Sequence, residues 1–187
     1  YFALKSNLTK TNVPAEFVPI YNFYSSCVEQ KTREAIDLAE SQGGHIYTNA
    51  YIPGSEYAPF SNQFNFLGFP VPYWYYVSGN GIIKEQVPLK KNIEEEIAKY
   101  VSERIPDCDF ESFYYQGFSI DFDKPVVSAK IESSKVNMEI SQSVSISKGD
   151  ISSRKTQHVI SIESKLGKFY DSAKEIYEKE KSESFLE

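Results

Sequence analysis

The sequence has few metal-binding side chains, no excess of positive charge and no long apolar run. Its two histidines and two cysteines lie too far apart in the chain to form a structural zinc cage. Acidic residues outnumber basic residues by 26 to 20, and the net charge is −6. We therefore expect no nucleic-acid partner, because nucleic-acid binding requires a basic face. No stretch of the sequence approaches roughly 18 apolar residues without a charge, so we expect no membrane-spanning segment in this chain.

The familiar catalytic and cofactor-binding motifs are missing as well. The sequence contains no Gly-x-Ser-x-Gly, no P-loop and no dinucleotide-binding fingerprint, the patterns typical of a nucleophilic serine, a bound phosphate or a bound dinucleotide. Carboxylates are plentiful, but a catalytic pair of carboxylates is recognised by its separation in space. We therefore predict no catalytic residue, no metal ligand and no cofactor.

Aromatic residues, in contrast, are abundant and concentrated in one uncharged stretch. They make up 15% of the 187 residues, which supplies enough apolar surface to offset the ordering entropy of folding. Between Ser41 and Ile83 the only charged side chain is Glu56. We call residues 45–79 the aromatic block. Its eleven aromatic residues are Tyr47, Tyr51, Tyr57, Phe60, Phe64, Phe66, Phe69, Tyr73, Trp74, Tyr75 and Tyr76.

The aromatic block is predicted to be a long loop that a partner covers. Its prolines exclude a long helix, and an uncharged aromatic loop must either fold back onto the domain or be covered. We predict an exposed patch of several hundred Å² formed by some of Tyr51, Tyr57, Phe60, Phe64, Phe66, Tyr73, Trp74, Tyr75 and Tyr76. The proposed partner-binding residues are Tyr51, Tyr57, Phe60, Tyr73, Trp74, Tyr75 and Tyr76. The alternative is that the run from Tyr73 to Tyr76 is a core or edge strand buried by the helices.

The rest of the sequence predicts an α+β fold. Two N-terminal helices flank the long aromatic loop, and an antiparallel sheet of about four strands and a C-terminal helix follow. Helical spacing of apolar residues predicts helices over 19–42, 92–104 and 164–180. Asn92 and Glu95 resemble a capping box at the start of the second helix. The three amphipathic helices are expected to cover the apolar face of the sheet.

Alternation of apolar and polar residues between 118 and 163 predicts strands with one face in water. A two-residue turn at Ser133-Ser134 places apolar residues opposite one another on a single face. The predicted pairs are Ile131 with Val136, Ala129 with Met138, and Val127 with Ile140. A hairpin with its turn at Gly79-Asn80-Gly81 is predicted at the end of the aromatic block. We expect a single domain over 1–187, with a helical and aromatic-loop lobe at 1–108 and a sheet-plus-helix lobe at 109–187.

The two cysteines are predicted to form a disulfide. Cys27 lies on the apolar stripe of the first helix and Cys108 follows the second helix, so a bond between them would join the two helical segments. The even number of cysteines suggests an oxidising compartment, and the alternative is two separate buried thiols. His45 and His158 are each interpreted as hydrogen-bonded structural histidines, because a catalytic or metal-binding role would need partners that sequence does not reveal.

A set of short motifs recurs in a recognisable order. These are Val18, Cys27, Glu29, Gln42-Gly43-Gly44-His45-Ile46, Pro72-Tyr73, Glu94-x-Glu96-Ile97, Tyr100-Val101, Cys108, Gly117 and Leu166-Gly167-Lys168-Phe169-Tyr170. The ordered set, over roughly 18–181, resembles a family of uncharacterised archaeal surface proteins from small-genome, host-associated lineages. Such proteins usually have one hydrophobic N-terminal helix and an outward-facing domain. The resemblance thus implies a membrane-anchored surface protein whose anchor is missing here, and a natural C-terminus beyond Glu187.

The first residue, Tyr1, is not a methionine, as expected where a signal peptide, an anchor or an arbitrary piece of chain has been removed. We expect an extracellular or cell-surface protein without enzymatic activity that serves in structure or adhesion, as a subunit of a surface assembly or filament. The expected partner is a protein, either another subunit or a surface partner. A glycan is a further candidate, and membrane contact is expected only through the missing anchor. The alternative function is a glycan-binding domain or hydrolase with a site around His45 and the aromatic loop.

Overall fold

A computed structural model describes residues 13–49, 61–78 and 80–183. Three of the proposed partner-binding residues, Tyr51, Tyr57 and Phe60, lie outside the described residues. The helices are Val18–Ser41 (α1), Lys90–Arg104 (α2), Glu111–Tyr115 (α3) and Leu166–Glu183 (α4). The strands are Gln63–Phe66 (β1), Phe69–Pro72 (β2), Tyr75–Val77 (β3), Ile83–Glu85 (β4), Ser119–Phe122 (β5), Val126–Ile131 (β6), Lys135–Lys148 (β7) and Ile151–Glu163 (β8). The predicted α+β class and antiparallel pairing are confirmed.

The large sheet is built around the long strand β7. Strand β8 pairs with one edge of β7, and β5 and β6 follow one another along the other edge. The three predicted pairs between β6 and β7, including Val127 opposite Ile140, are all confirmed. The register of β7 shifts between Ser141 and Val144, which is the signature of a β-bulge.

Helices α1 and α2 cover the apolar face of this sheet. Alternate residues of β7, including Val136, Met138 and Ile140, are fully buried beneath them. Proline in the first turn of α1 is tolerated there because its N–H would have no partner anyway. Left-handed φ angles at Gly43 and Gly44 end the helix, because glycine adopts this conformation readily. We call α1, α2 and β5–β8 together the sheet body.

The expectation that the C-terminal helix also covers the sheet is wrong for most of α4. Its buried residues are confined to the first turn: Leu166, Gly167 and Tyr170. Gly167 fits against the backbone of Glu132, where any Cβ would collide with the carbonyl oxygen. Beyond that turn, α4 contacts Trp74 and Glu85 of the aromatic region instead. The sheet has no room for a third helix because α1 and α2 already occupy its apolar face.

The predicted capping box at α2 is also wrong. The helix begins at Lys90, and Leu89 occupies the N-cap position without a side-chain hydrogen bond. Glu95, the expected capping residue, lies within 3.6 Å of the Lys91 ammonium in solvent. Its neighbour Glu94 binds the sheet instead: its Oε1 accepts a hydrogen bond from the Ile131 N–H at 2.9 Å. Contacts with other elements of the fold therefore decide which group each of these carboxylates binds.

The described parts of the aromatic block form two hairpins rather than one irregular loop. Strands β3 and β4 pair as predicted from their glycine-rich turn. The pair β1 and β2 was not predicted. Its turn consists of Leu67 and Gly68, which both have left-handed φ angles, +53° and +92°. Two such residues form a tight hairpin turn whose twist matches that of the strands.

Candidate docking surface

The two hairpins are attached to the C-terminal end of α1. The indole N–H of Trp74 donates a hydrogen bond to the Gly43 carbonyl at 2.9 Å. Val71 of β2 packs so closely that a Cβ at Gly43 would lie 3.3 Å from its side chain. On the other side of the turn, a Cβ at Gly44 would lie 2.8 Å from Pro88. The glycine pair thus lets the helix end pack against both the hairpins and the segment before α2.

Trp74 is an internal anchor of this region. Its ring centroid lies 6.4 Å from that of Tyr170 and 5.9 Å from that of Tyr177, so it joins the hairpins to α4. The Tyr170 hydroxyl donates to the Pro88 carbonyl at 2.9 Å. Near the C-terminal end of α4, a salt bridge of 2.9 Å joins Lys181 to Glu85 of β4. Trp74 was proposed as a partner-binding residue, but the structure places it half-buried between hairpins and helix.

The remaining proposed residues that the structure describes differ in exposure. Tyr73 and Tyr75 are exposed, and Tyr76 is half-buried. Four further exposed apolar side chains lie together at the first hairpin, on residues we call the apolar knob: Phe64, Phe66, Leu67 and Phe69. The Phe64 and Phe66 rings are 6.0 Å apart. The side chain at the very tip, Leu67, is 83% exposed.

Leu67 is the least expected residue of the hairpin. A left-handed φ costs a leucine of the order of 1 kcal/mol, whereas glycine or asparagine adopts it readily. The turn has a hydrogen bond of its own, in which the Gly68 N–H donates to the Asn65 side chain at 3.0 Å. Neither the turn geometry nor core packing calls for a leucine here.

The knob is also electrically neutral. Residues 61–78 carry no charged side chain, although the chain as a whole has a net charge of −6. In the second hairpin, β4 carries the charged residues Lys84 and Glu85, and Glu85 pairs with Lys181 of α4. Sequence reasoning found the uncharged stretch but missed the knob leucine. The available signal was Gly68 alone, because leucine is not typical of the first position of a two-residue hairpin turn.

Near His45, two glutamates of α2 bind the segment that follows α1. Glu96 Oε2 accepts hydrogen bonds from the backbone N–H groups of Ile46 and Tyr47, at 2.5 and 3.1 Å. The other carboxylate oxygen lies 3.8 Å from His45 Nδ1. The Tyr47 hydroxyl donates to Glu103 at 2.7 Å, and burial together with this bond raises the pKa of Tyr47. Among the described residues, buried Nε2 of His45 has no hydrogen-bond partner.

A concave feature lies beside the disulfide, which joins the middle of α1 to the segment after α2. Cys27 and Cys108 are bonded, with their Cα atoms 6.1 Å apart, so the predicted disulfide is confirmed. Next to Cys108 is a cavity of about 590 Å³ lined by Phe110, Tyr114, Phe122 and other residues. We call it the disulfide pocket. Sequence reasoning did not find it, because its walls come from α3, β5 and the bulge of β7.

A buried polar network supports the floor of the disulfide pocket. Gln142, in the bulge of β7, accepts a hydrogen bond from the Tyr24 hydroxyl at 2.7 Å and donates to the Asp123 carbonyl at 2.7 Å. The His158 ring lies 4.6 Å from the Tyr24 ring, with its Nε2 3.1 Å from the Gln142 carbonyl. Burial is the main reason that the pKa of His158 is lowered. His158 is thus a structural histidine, as the sequence suggested.

The described residues include neither a membrane-spanning helix nor a metal-binding cluster. In the parts of the chain that the structure describes, no helix is sufficiently long and apolar to cross a membrane. Within the same residues, no cluster of three or more His, Cys, Asp or Glu side chains could hold a metal ion. Comparison with protein-family models, curated proteins and solved structures finds no match to this chain. The disulfide is compatible with an oxidising compartment.

Proposed function

We propose that this chain is a non-enzymatic, extracellular structural or adhesion module that docks a protein partner through its aromatic hairpins. The observation that carries the proposal is the apolar knob, whose tip residue Leu67 is 83% exposed in a strained conformation. Exposed apolar groups of this kind on a soluble chain typically mark interaction sites. Non-glycine residues in left-handed conformations are likewise concentrated at functional positions.

A protein suits the knob better than a glycan does. Protein interfaces are dominated by a few aromatic or aliphatic anchors that enter pockets on the partner. Glycan and other small-molecule sites are concave and carry several convergent polar groups. The knob is a convex tip of three Phe side chains and one Leu side chain, and the Asn65 amide oxygen is already used by Gly68.

The disulfide supports the extracellular assignment. Cys27 and Cys108 are separated by 81 positions in the sequence, and such long-range bonds persist mainly in oxidising compartments. A cell-surface location is also what the resemblance of the ordered motifs to archaeal surface proteins implies. In that arrangement an anchor would precede α1, and the hairpins at the other end of this helix would face away from the membrane.

One observation favours the alternative, a glycan-binding domain or hydrolase around His45. The buried Nε2 of His45 has no partner among the described residues, and such an atom is often completed by a ligand or an ordered water. Against this, Glu96 already accepts two backbone hydrogen bonds. Its carboxylate is thereby committed to holding the loop, which weakens its use as an acid or base.

Hydroxyl-radical footprinting of the purified chain and of cells that carry it tests the proposal. We expect the knob residues Phe64, Phe66 and Phe69 to be oxidised several-fold more slowly on the cell surface than in the purified chain. Val159, exposed on the open face of the sheet, serves as the reference side chain. Equal oxidation of the knob in both samples, or inaccessibility of the whole chain to protease added to intact cells, would overturn the proposal.

A further inference from the structure

We propose that the docked protein is a second copy of this chain, with the apolar knob of one copy inserted into the disulfide pocket of the next. This inference rests on the proposed docking function and names its partner. Two independent features carry it: an exposed convex apolar tip on the hairpins at the C-terminal end of α1, and an apolar cavity beside the disulfide at the middle of this helix.

The disulfide pocket has the size and chemistry to receive the knob. Its volume of about 590 Å³ lies within the range of cavities that bind an organic group of moderate size. Its apolar lining includes Pro106, Phe110, Tyr114, Phe122 and Pro125. Phenylalanine side chains entering such a pocket would gain edge-to-face ring contacts in addition to apolar burial.

The distribution of charge also favours a contact between two copies that is made through the uncharged knob. Two copies with a net charge of −6 each repel one another over most approaches. The pocket rim contains three acidic residues and one lysine: Asp109, Glu111, Asp123 and Lys124. The knob carries no charge of its own, so it meets this rim without like-charge repulsion.

The placement of the two features determines the kind of assembly. Cys27, beside the pocket, and Ser41, beside the hairpins, are 14 residues apart on α1, which corresponds to about 21 Å along the helix. In the single chain the knob is exposed, so it does not fill the pocket of its own chain. A contact between two different patches is heterologous, and it extends into an open filament or closes into a ring.

A photo-crosslinking amino acid at position 67 of the full chain tests the contact directly, even if it is weak. The experiment uses an equal mixture of isotopically light and heavy chains, so that crosslinks between copies are distinguished by mass. We expect mixed-isotope crosslinks that join position 67 to residues 105–125. Crosslinks to residues 61–78 would indicate tip-to-tip pairing instead. That result, or the absence of any crosslink between copies at the highest soluble concentration, would overturn the inference.

A complementation experiment with two variants sharpens the test. Leu67→Asp blocks the knob, and Tyr114→Asp blocks the pocket; both side chains are exposed in the single chain, so the fold should survive. We expect each variant alone to sediment as a monomer, while their mixture forms a one-to-one complex, because one intact knob and one intact pocket remain. Tyr115→Asp, at the neighbouring exposed position outside the pocket, should assemble like the original chain.

The two proposals can fail separately. If Tyr114→Asp assembles as strongly as the original chain, the pocket is not the receptor and the inference is wrong. If the purified chain stays monomeric while the knob is protected on the cell surface, the inference fails, but docking of another protein stands. If the knob is unprotected on cells, the proposed function itself fails.

Discussion

In the sheet body alternate side chains of β7 are buried under two helices, whereas in the first aromatic hairpin Phe64, Phe66 and Phe69, which lie on one face, remain exposed. Val136, Met138 and Ile140 are fully buried. Of the residues of β1, only Gln63 is buried, and the phenylalanines around it face solvent. Both regions alternate in sequence, but only β7 has a second layer to pack against. Alternation therefore produces a core where a helix covers the sheet, and an exposed surface where none does.

The comparison separates stability from docking within one chain. Every buried side chain of the sheet body contributes to the free energy of unfolding, and burial of a large apolar side chain is worth about 1.5–3 kcal/mol. The exposed knob contributes little of this, and Leu67 even costs stability through its left-handed φ. Substitutions should thus divide into those that unfold the body and those that change the surface alone.

The largest effect is expected from Ile140→Asp in the sheet body. Ile140 is fully buried between β6 and β8, and the residue directly opposite a carboxylate there would be the buried His158, whose pKa is lowered by burial. We expect a loss of at least about 4 kcal/mol, a large share of the roughly 5–15 kcal/mol stability of an ordinary domain, because burying a charge is costly. Urea denaturation followed by circular dichroism measures the loss. Glu139→Lys, on the exposed face next to it, should be nearly silent, and equal effects of the two changes would contradict the register.

The disulfide is expected to contribute almost as much to the sheet body. The bond encloses a loop of 80 residues, since the cysteines are 81 positions apart. The chain-entropy model assigns such a loop roughly 4 kcal/mol. Replacing both Cys27 and Cys108 by alanine should lower the urea midpoint accordingly, and reduction should raise the mass of the intact chain by two hydrogens. Full alkylation of the unreduced, denatured chain would show that no bond exists.

Within the aromatic hairpins, neighbouring residues should differ in their effect on stability. Trp74 joins Gly43, Tyr170 and Tyr177, so Trp74→Ala should cost about 2 kcal/mol, less than full burial in a core would imply. Tyr75 is exposed, and Tyr75→Ala should cost less than about 0.5 kcal/mol. Thermal unfolding followed by circular dichroism compares the two. A larger loss from Tyr75→Ala would mean that the anchor of the hairpins has been misassigned.

The buried histidine of the sheet body should make stability depend on pH. Burial lowers the pKa of His158 in the folded chain, and nearby Lys155 lowers it further. The unfolded chain therefore binds a proton more readily than the folded chain does, so stability should fall as the pH drops below about 6.5. His158→Gln should flatten this part of the profile of unfolding free energy against pH. An unchanged profile in this variant would contradict the assignment.

The smallest effect on stability is expected at the tip of the knob. Leu67→Asn relieves the left-handed φ and should raise the free energy of unfolding by about 0.5–1 kcal/mol. Leu67→Ala removes the same apolar surface without easing the backbone, so it should not share this gain. Urea denaturation of both variants measures the difference. Loss of stability in Leu67→Asn would show that the leucine contributes to the fold rather than to a partner.

Much of the sheet body could be predicted from local patterns. The register of β6 against β7 follows from one short turn and from the need to place Val127, Ala129 and Ile131 on the same face. The disulfide could be proposed from the positions of Cys27 and Cys108 relative to two amphipathic helices. In these cases the signal lies within a few residues or one helical face, where spacing alone decides which side chain points inward.

The candidate docking surface could be predicted only as a region. The missing charges of the aromatic block marked it, but Trp74 was grouped with Tyr73 and Tyr75 although it packs inward against α4. That distinction depends on Tyr170 and Tyr177, which lie about a hundred positions later in the chain. The three proposed residues Tyr51, Tyr57 and Phe60 lie outside the described residues and stay predictions.

The sequence by itself determined the helix of α1, the pairing of the long strands and the uncharged character of the aromatic block. These depend on periodicity, turn residues and composition, which act over short distances along the chain. Tertiary structure decided which carboxylates of α2 hold backbone groups, where α4 packs, and which aromatic side chains remain exposed. Those outcomes depend on which surfaces compete for the same apolar face. Since α1 and α2 cover the sheet, α4 packs against Trp74, and no element among the described residues covers the knob.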